Sequence, residues 1–203
     1  ALAGLPRQAA DPLPFAPMGR RAEPQYLEET MELTQGKLAM GFTTGITTQD
    51  PRFPALMVWN ALFGGDLTSK LFLNVREKRS LCYYASSNLE KMKGLLLVSS
   101  GIEFGQYQQA RDEILAQLEA VRRGEMEDWE LEGARRTLIG GHRSTLDDQS
   151  RLEEFWLGQT AAGLDTGIEE LVERLKTVTR EQVAAAAQKL ELDTIYFLKG
   201  KEG

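Results

Sequence analysis

Hydrophobic and polar residues recur along the chain in two patterns, and the shorter of the two predicts strands. Over residues 36–44 every second residue is apolar or small, which is the period of a half-buried strand. The apolar side of this segment consists of Leu38, Met40 and Phe42. Residues 81–88 alternate in the same way, and residues 95–100 follow them across a short turn. The two segments therefore form a predicted hairpin, and residues 194–198 form a predicted last strand.

The longer pattern places apolar residues three and four positions apart and predicts helices in the rest of the chain. The first helix opens at Pro51 and Pro54, because proline is tolerated only in a first helical turn, and it ends at the pair Gly64–Gly65. A second, short helix is predicted from Asp66 or Thr68 to about Lys78. Its apolar face consists of Leu67, Leu71, Phe72 and Val75. The later helices are predicted over residues 107–124, 125–142, 149–162, 168–175 and 179–190.

Several helix ends carry explicit signals. Gly124 stands where a glycine commonly closes a helix. The acidic stretch that follows favours a new helix start, since carboxylates complement the exposed amide groups and the helix dipole. Thr179 and Gln182 have the spacing of a capping box.

The order of these elements defines a fold class. Strand, two helices, hairpin, a run of helices and a closing strand predict an α+β fold, an antiparallel sheet with helices packed on one face. Residues 1–32 read as a proline-rich linker because five of the seven prolines fall in the first 24 residues. Residues 33–203 are the predicted domain. The chain does not begin with methionine, and we expect a fragment of a longer polypeptide.

Composition narrows the environment and the partners. The net charge is -6 with acidic and basic residues interspersed, which argues against a nucleic acid partner. The single cysteine, Cys82, cannot form an internal disulfide, so we expect a reducing compartment such as the cytoplasm. The sequence contains no apolar run of the length that spans a bilayer, about 18 residues, and we expect no membrane partner.

The count of histidines limits the chemistry. His142 is the only one, so no motif with two histidine zinc ligands is present in these 203 residues. The spacing of His142, Cys82 and the carboxylates does not support an improvised metal site. Cys82 lies within a predicted strand without a local activating group and is most simply a small core residue. We therefore expect no cofactor and no metal ligands in this chain.

The segment from Gly64 to Ser87, GGDLTSKLFLNVREKRSLCYYASS, holds the most information. It joins a glycine break, an amphipathic helix, the basic group at residues 76–79 and a strand with two adjacent tyrosines. Basic residues are favourable at a helix C-terminus and tyrosine favours strands, so simple propensity explains the composition. Propensity does not explain the spacing. In the strand, alternation assigns Leu81, Tyr83 and Ala85 to one side and Cys82, Tyr84 and Ser86 to the other.

The spacing resembles that of the C-terminal half of the pitrilysin/insulinase peptidases, also called inverzincins. In that half a glycine break is followed by a pattern like L-x-x-x-x-R-x-K-x-x-L-x-Y. The pattern is met here by Leu71, Arg76, Lys78, Leu81 and Tyr83. The likeness extends more loosely over residues 33–200. More narrowly, the chain is similar to a bacterial cytoplasmic branch whose members are labelled probable inactive metalloproteases and occur beside a zinc-bearing relative.

The resemblance implies roles for two residues. In this family the N-terminal half carries a His-x-x-Glu-His zinc motif, and the C-terminal half forms the other wall of the chamber. Tyr83 would donate a hydrogen bond to the developing oxyanion, and Arg76 would hold a substrate carbonyl nearby or assist the same oxygen. Such donors are worth about 2.7–4 kcal/mol each when well aimed. Arg76 and Tyr83 are thus the predicted catalytic and substrate-binding residues, and Tyr84 is expected on the opposite sheet face.

The implied partners are a zinc-bearing N-terminal half or a homologous active subunit, with an extended peptide as substrate; this chain alone is expected to be inactive. Two cases stay open: this chain is the C-terminal half of a longer polypeptide, or the parent's own N-terminal half lacks zinc ligands and the whole protein is the silent partner of an active subunit. The narrower resemblance favours the second case. Two rival functions also remain. One is a catalytically silent structural module, and the other is a peptide-binding module that adds a strand at a sheet edge.

Overall fold

One mixed sheet of five strands organises residues 18–201, the part of the chain that the computed structural model describes. The strands are β1 (Gln25–Met31), β2 (Gly36–Thr43), β3 (Cys82–Glu90), β4 (Leu95–Ile102) and β5 (Glu191–Gly200). Their spatial order is β1-β5-β2-β4-β3. Only the β1–β5 pair is parallel; the other neighbouring pairs are antiparallel. The predicted α+β class is confirmed, with a sheet that is mostly antiparallel rather than wholly so.

The centre of the sheet is buried on one side, as the alternation predicts. Leu38, Met40 and Phe42 on β2 are at most 1% exposed, and they share that side with Val98 of β4 and Ile195 of β5. Removing this continuous apolar surface from water is the main stabilising contribution to the domain. The helices pack on this side of the sheet, and they supply the opposite half of the core.

The helices are α1 (Phe53–Asn60), α2 (Tyr107–Arg122), α3 (Asp128–Ser144), α4 (Gln149–Ala161), α5 (Ile168–Lys176) and α6 (Arg180–Ala187). Two segments have the wider π-helical winding: π1 (Ala61–Gly65), which continues α1, and π2 (Leu71–Lys78). Gly124 ends the turn after α2 with a φ of 75°. Thr179 and Gln182 form the predicted capping box at α6, with hydrogen bonds of 2.9 and 3.3 Å.

Strand β1 lies inside the range predicted as linker, and here the structure differs from the sequence-based expectation. All of its side chains are exposed, so it lacks the alternation that marks a half-buried strand. It is held instead by its parallel backbone ladder to β5. Two side-chain contacts support the ladder: Lys199 with Glu28 at 2.6 Å, and the Tyr196 hydroxyl with Glu29 at 3.0 Å. Residues 1–17 of the predicted linker lie outside the described residues.

The helix predicted from Asp66 or Thr68 begins later than expected. The Asp66 carboxylate accepts hydrogen bonds from the backbone and the hydroxyl of Thr68, at 2.8 and 2.7 Å. These bonds stabilise a turn in place of a first helical turn. Leu67, predicted on the buried face, is 70% exposed, while Leu71 and Val75 are fully buried.

Candidate functional site

The segment π2 places Arg76 at the surface beside β3. Leu71 and Val75 anchor the segment in the core, and Arg76 follows directly after Val75 in the last turn. The guanidinium carbon of Arg76 lies 4.8 Å from the centre of the Phe72 ring, one turn earlier, which is cation–π distance. A guanidinium nitrogen lies 3.6 Å from the carboxylate of Glu77. The guanidinium of Arg76 therefore packs against an aromatic face and stays partly exposed to solvent.

The turn between π2 and β3 is ordered by backbone hydrogen bonds. The amide of Ser80 donates to the carbonyl of Arg76, and the amide of Leu81 donates to that of Val75, both at 3.0 Å. Ser80 has a φ of 51°, a left-handed conformation that costs a non-glycine residue about 1 kcal/mol or more. Leu81 is buried and fixes the start of the strand. The connection from Arg76 to the strand is thus well defined.

A β-bulge then changes the direction of Tyr83. On β4, Ile102 pairs with Cys82 and Gly101 pairs with Tyr84, so Tyr83 is the extra residue on β3. Bulges bend a strand locally and re-aim a side chain. The simple alternation predicted for this strand is therefore wrong at its first residue, because the bulge puts Cys82 on the helix-covered side. Tyr83 has no paired residue on β4, and it is 54% exposed.

Arg76 and Tyr83 line one solvent-open cleft of about 400 Å³. The other lining residues are Glu77, Ser80, Cys82, Glu103 and Gln106. The Tyr83 hydroxyl donates a hydrogen bond to the carboxylate of Glu103. The structure thus brings the two predicted site residues to the same cavity and leaves both polar groups at its surface. Their catalytic and substrate-binding roles stay predictions.

Tyr84 points to the other face of the sheet, where the helices do not cover it. Its ring lies against Gly101, and the Lys37 ammonium lies 5.5 Å from the ring centre. The adjacent tyrosines thus have separate surroundings, and Tyr84 does not line the Arg76 cleft.

Cys82 forms part of the cleft wall, and its thiol is partly buried. Burial raises the pKa of its thiol, and a hydrogen bond with Ser100 and the positive charge of Arg76 offset this rise only in part. A raised pKa lowers the fraction of thiolate, which is the reactive form. Burial therefore disfavours the reactive form of the Cys82 thiol.

Glu103 is the cleft residue that sequence reasoning missed. It follows β4 directly, and its backbone carbonyl accepts a 3.0 Å hydrogen bond from the amide of Gln106. Nothing in the local sequence distinguishes it from other surface glutamates. Continuing the regular pairing of β3 with β4 beyond Tyr84 and Gly101 would have paired Tyr83 with Ile102 and placed residue 103 next to that pair.

The described residues do not fit a zinc ion. His142 lies half-buried on α3 near Phe155, with 6.5 Å between ring centres, and burial followed by the charge of Lys91 lowers its pKa. Within residues 18–201, no group of three or more histidine, cysteine, aspartate and glutamate side chains is arranged to hold a metal. The same range contains no helix that is both long and apolar enough to cross a bilayer.

Solved structures with the same fold define the class of domain. A conserved protein from Enterococcus faecalis V583 matches with a TM-score of 0.92 and 32% identity, over 100% of this chain and 48% of that chain. A peptidase M16 inactive domain from Pseudomonas fluorescens matches with a TM-score of 0.74 and 21% identity, over 92% of this chain and 46% of that chain. The fold is therefore that of the inactive domains of M16 peptidases.

The sequence comparisons establish the family. The model of the peptidase M16 inactive domain matches residues 1–138, and the chain belongs to this family. The "Probable inactive metalloprotease YmfF" of Bacillus subtilis is 41% identical over 183 residues, which are 90% of this chain and 43% of that protein. The "Uncharacterized zinc protease YmxG" of the same organism is 27% identical over 82% of this chain and 41% of its own length. This chain spans less than half the length of both.

Proposed function

We propose that this chain is the non-zinc half of a metallopeptidase and that it contributes a substrate-binding and oxyanion-stabilising wall to peptide hydrolysis. The zinc-bearing wall comes from an N-terminal half of the same polypeptide or from a homologous active subunit. The substrate is an extended peptide, and the chain has no activity alone. The observation that carries the proposal is the shared cleft of Arg76 and Tyr83, whose side chains are both partly exposed to solvent.

The two residues suit complementary tasks. Arg76 is permanently charged and rests on Phe72, so its guanidinium can bind a peptide carbonyl with little loss of side-chain freedom. Tyr83 has one hydroxyl proton to donate and a ring held by the bulge of β3. Peptide hydrolysis concentrates negative charge on the former carbonyl oxygen, and prepositioned donors stabilise that charge. No step of the reaction that involves the metal is assigned to this chain, because its described residues do not form a metal site.

The test is an assay of the reconstituted assembly. This chain is combined with a candidate zinc-bearing homologue, and hydrolysis of a quenched fluorogenic peptide is measured. Arg76→Ala and Tyr83→Phe are expected to lower kcat/KM by about 100-fold or more each, as loss of a well-aimed oxyanion donor does. The matched controls are Arg79→Ala, whose side chain pairs with Glu113 at 2.8 Å, and Tyr84→Phe on the other sheet face. Both controls should keep normal turnover.

Two results would reject the proposal. Metal-dependent hydrolysis by this chain alone would show that the catalytic half is not missing. Unchanged turnover in both cleft variants, with turnover present in the assembly, would remove the assigned roles of Arg76 and Tyr83.

A catalytically silent scaffold is the second candidate, and its support is the similarity to a relative named as a probable inactive metalloprotease. In that case the cleft variants would change neither turnover nor assembly. A further rival is peptide binding by strand addition, which the exposed edge strand β1 would permit. We place each of these functions in the cytoplasm, where a chain with one free cysteine is at no disadvantage.

A further inference from the structure

The charges of the cleft are unequal. One arginine, Arg76, faces two glutamates, Glu77 and Glu103. Arg76 and Glu77 lie within ion-pair distance and largely neutralise each other. Among the ion pairs of residues 18–201, none includes Glu103. The uncompensated charge of the cleft is therefore negative and sits on Glu103.

Glu103 also accepts a hydrogen bond from the Tyr83 hydroxyl, the group that would stabilise the oxyanion in the proposed function. A tyrosine hydroxyl has a single proton, and Tyr83 donates it to the Glu103 carboxylate. Hydrogen bonds to ionised acceptors are roughly twice as strong as bonds between neutral groups. A peptide carbonyl, which is neutral, must therefore compete with a charged acceptor for that proton. This competition becomes weaker when a cationic group binds the Glu103 carboxylate.

We propose that Glu103 is a specificity-determining residue that binds a lysine or arginine side chain of the peptide. This binding weakens the hydrogen bond between Glu103 and the Tyr83 hydroxyl. The inference rests on the proposed function, since it assumes that a peptide enters this cleft. A bound ammonium or guanidinium group partly neutralises the Glu103 carboxylate, so the carboxylate becomes a weaker acceptor for the Tyr83 hydroxyl. The substrate class is thus an extended peptide with a basic residue close to the position that contacts Tyr83.

The local structure suits this role. Ile102, the residue before Glu103, is fully buried, and the Glu103 carbonyl is fixed by Gln106. The side chain itself is exposed and lies at the rim of an open cavity. Since solvent screens exposed ion pairs, we expect a preference for a basic peptide of about two- to fivefold. The preference should shrink as salt is added.

The experiment uses matched peptides that differ only by lysine or glutamine, with the variable position moved stepwise along the sequence. Hydrolysis by the assembly gives kcat/KM, and fluorescence anisotropy gives the Kd of each labelled peptide for the same assembly. Wild type should favour lysine over glutamine at one position. Glu103→Gln, which retains an acceptor for Tyr83, should abolish the preference, and Glu103→Lys should favour a glutamate peptide. Glu173→Gln is the control, because Glu173 is an exposed α5 residue that pairs with Lys176.

Equal kcat/KM and Kd for the lysine and glutamine peptides at every position in the wild type would overturn the inference. A preference that persists in Glu103→Gln would do the same. The outcome is separable from that of the proposed function. Loss of discrimination in Glu103→Gln with unchanged turnover in Arg76→Ala and Tyr83→Phe would keep the binding of a basic side chain by Glu103 and reject both the catalytic roles and the link to the Tyr83 hydroxyl.

Discussion

A β-carbon built on Gly64 would lie 2.8 Å from the backbone nitrogen of Ser87 and 2.6 Å from its hydroxyl oxygen. Gly64 lies near the end of π1, and Ser87 lies on β3, so the two elements approach each other at backbone distance. The Ser87 hydroxyl donates a 2.8 Å hydrogen bond to the side-chain oxygen of Asn60 at the same junction. The glycine therefore does more than end a helix: its missing side chain lets the helical layer pack against the strand that carries Tyr83.

The first prediction concerns this approach. Gly64→Ala should destabilise the domain by about 1–3 kcal/mol, the usual cost of overpacking a tight interior. The clash is with backbone as well as with the Leu71 side chain, so a rotamer change cannot relieve it. Urea unfolding gives the change in the free energy of unfolding. Gly140→Ala is the matched control, since nothing lies near its added β-carbon and a mid-helix alanine should stabilise α3 by about 0.5–1 kcal/mol. Equal effects at the two sites would contradict the argument.

The second prediction concerns a buried ion pair. The Lys70 ammonium lies 2.9 and 3.0 Å from the two carboxylate oxygens of Glu130, and both side chains are less than 10% exposed. Glu130 also accepts a 2.7 Å hydrogen bond from the amide of Glu127 at the start of α3. Lys70→Met leaves the carboxylate buried without its counter-ion, so we expect a loss of about 3–5 kcal/mol in the free energy of unfolding.

Two further variants test that explanation. Combining Lys70→Met with Glu130→Gln removes both charges and should recover part of the stability. Lys176→Met breaks the exposed pair with Glu173 and should cost at most about 1 kcal/mol. If Lys70→Met and Lys176→Met had the same effect in urea unfolding, burial of the first pair would not be important for stability.

Local patterns predicted the parts of the fold that local physics decides. The period of two fixed the buried side of β2, and the Thr179 and Gln182 side chains capped α6 as their spacing indicated. Strand β1 was not predicted because its exposed side chains carry no alternation, and its existence depends on β5, more than 160 residues away along the chain. A partner that distant leaves no trace in a local window.

The candidate site shows the same division. Arg76 and Tyr83 were found through a spacing that resembles a known family, and the structure brings them to one cleft. The bulge that turns Tyr83 outward comes from the register of β3 on β4, which alternation cannot reveal. Glu103 enters the cleft by the same pairing, 20 residues after Tyr83. The local sequence therefore identified Arg76 and Tyr83, which belong to a motif. It missed Glu103, which reaches the cleft only through the pairing of β3 with β4.

The third prediction is a pH dependence that arises from His142. Burial, followed by the charge of Lys91, lowers the pKa of this imidazole in the folded protein below the unfolded value of about 6.5. The unfolded chain therefore binds the proton more readily than the folded chain does. The stability that the neutral His142 contributes is complete above a pH of about 6.5. It is lost as the pH falls from that value towards the folded pKa. Wild type should lose more stability between pH 7.5 and 5.5 than His142→Gln.

The measurement is urea unfolding of both proteins at the two pH values. Other groups titrate in the acid range, and the comparison with His142→Gln removes their contribution. Parallel losses in the two proteins would show that the proton on His142 is equally stable in the folded and unfolded states.

The last prediction uses the single thiol to test whether Arg76 and Cys82 share the cleft. Burial raises the thiol pKa, while the nearby guanidinium of Arg76 acts in the opposite direction. Iodoacetamide should therefore alkylate Cys82 more slowly than it alkylates a free thiol at pH 8, and Arg76→Ala should slow the reaction further by removing the charge that favours the thiolate. The rate is followed by mass spectrometry across a pH series, so that a shift in the titration midpoint is distinguished from a change in access. Arg79→Ala is the control, because Arg79 pairs with Glu113 and does not line the cleft. A midpoint that stays the same in Arg76→Ala would mean that the guanidinium does not act on the thiol. The inference that Arg76 and Cys82 interact electrostatically in the cleft would then be rejected.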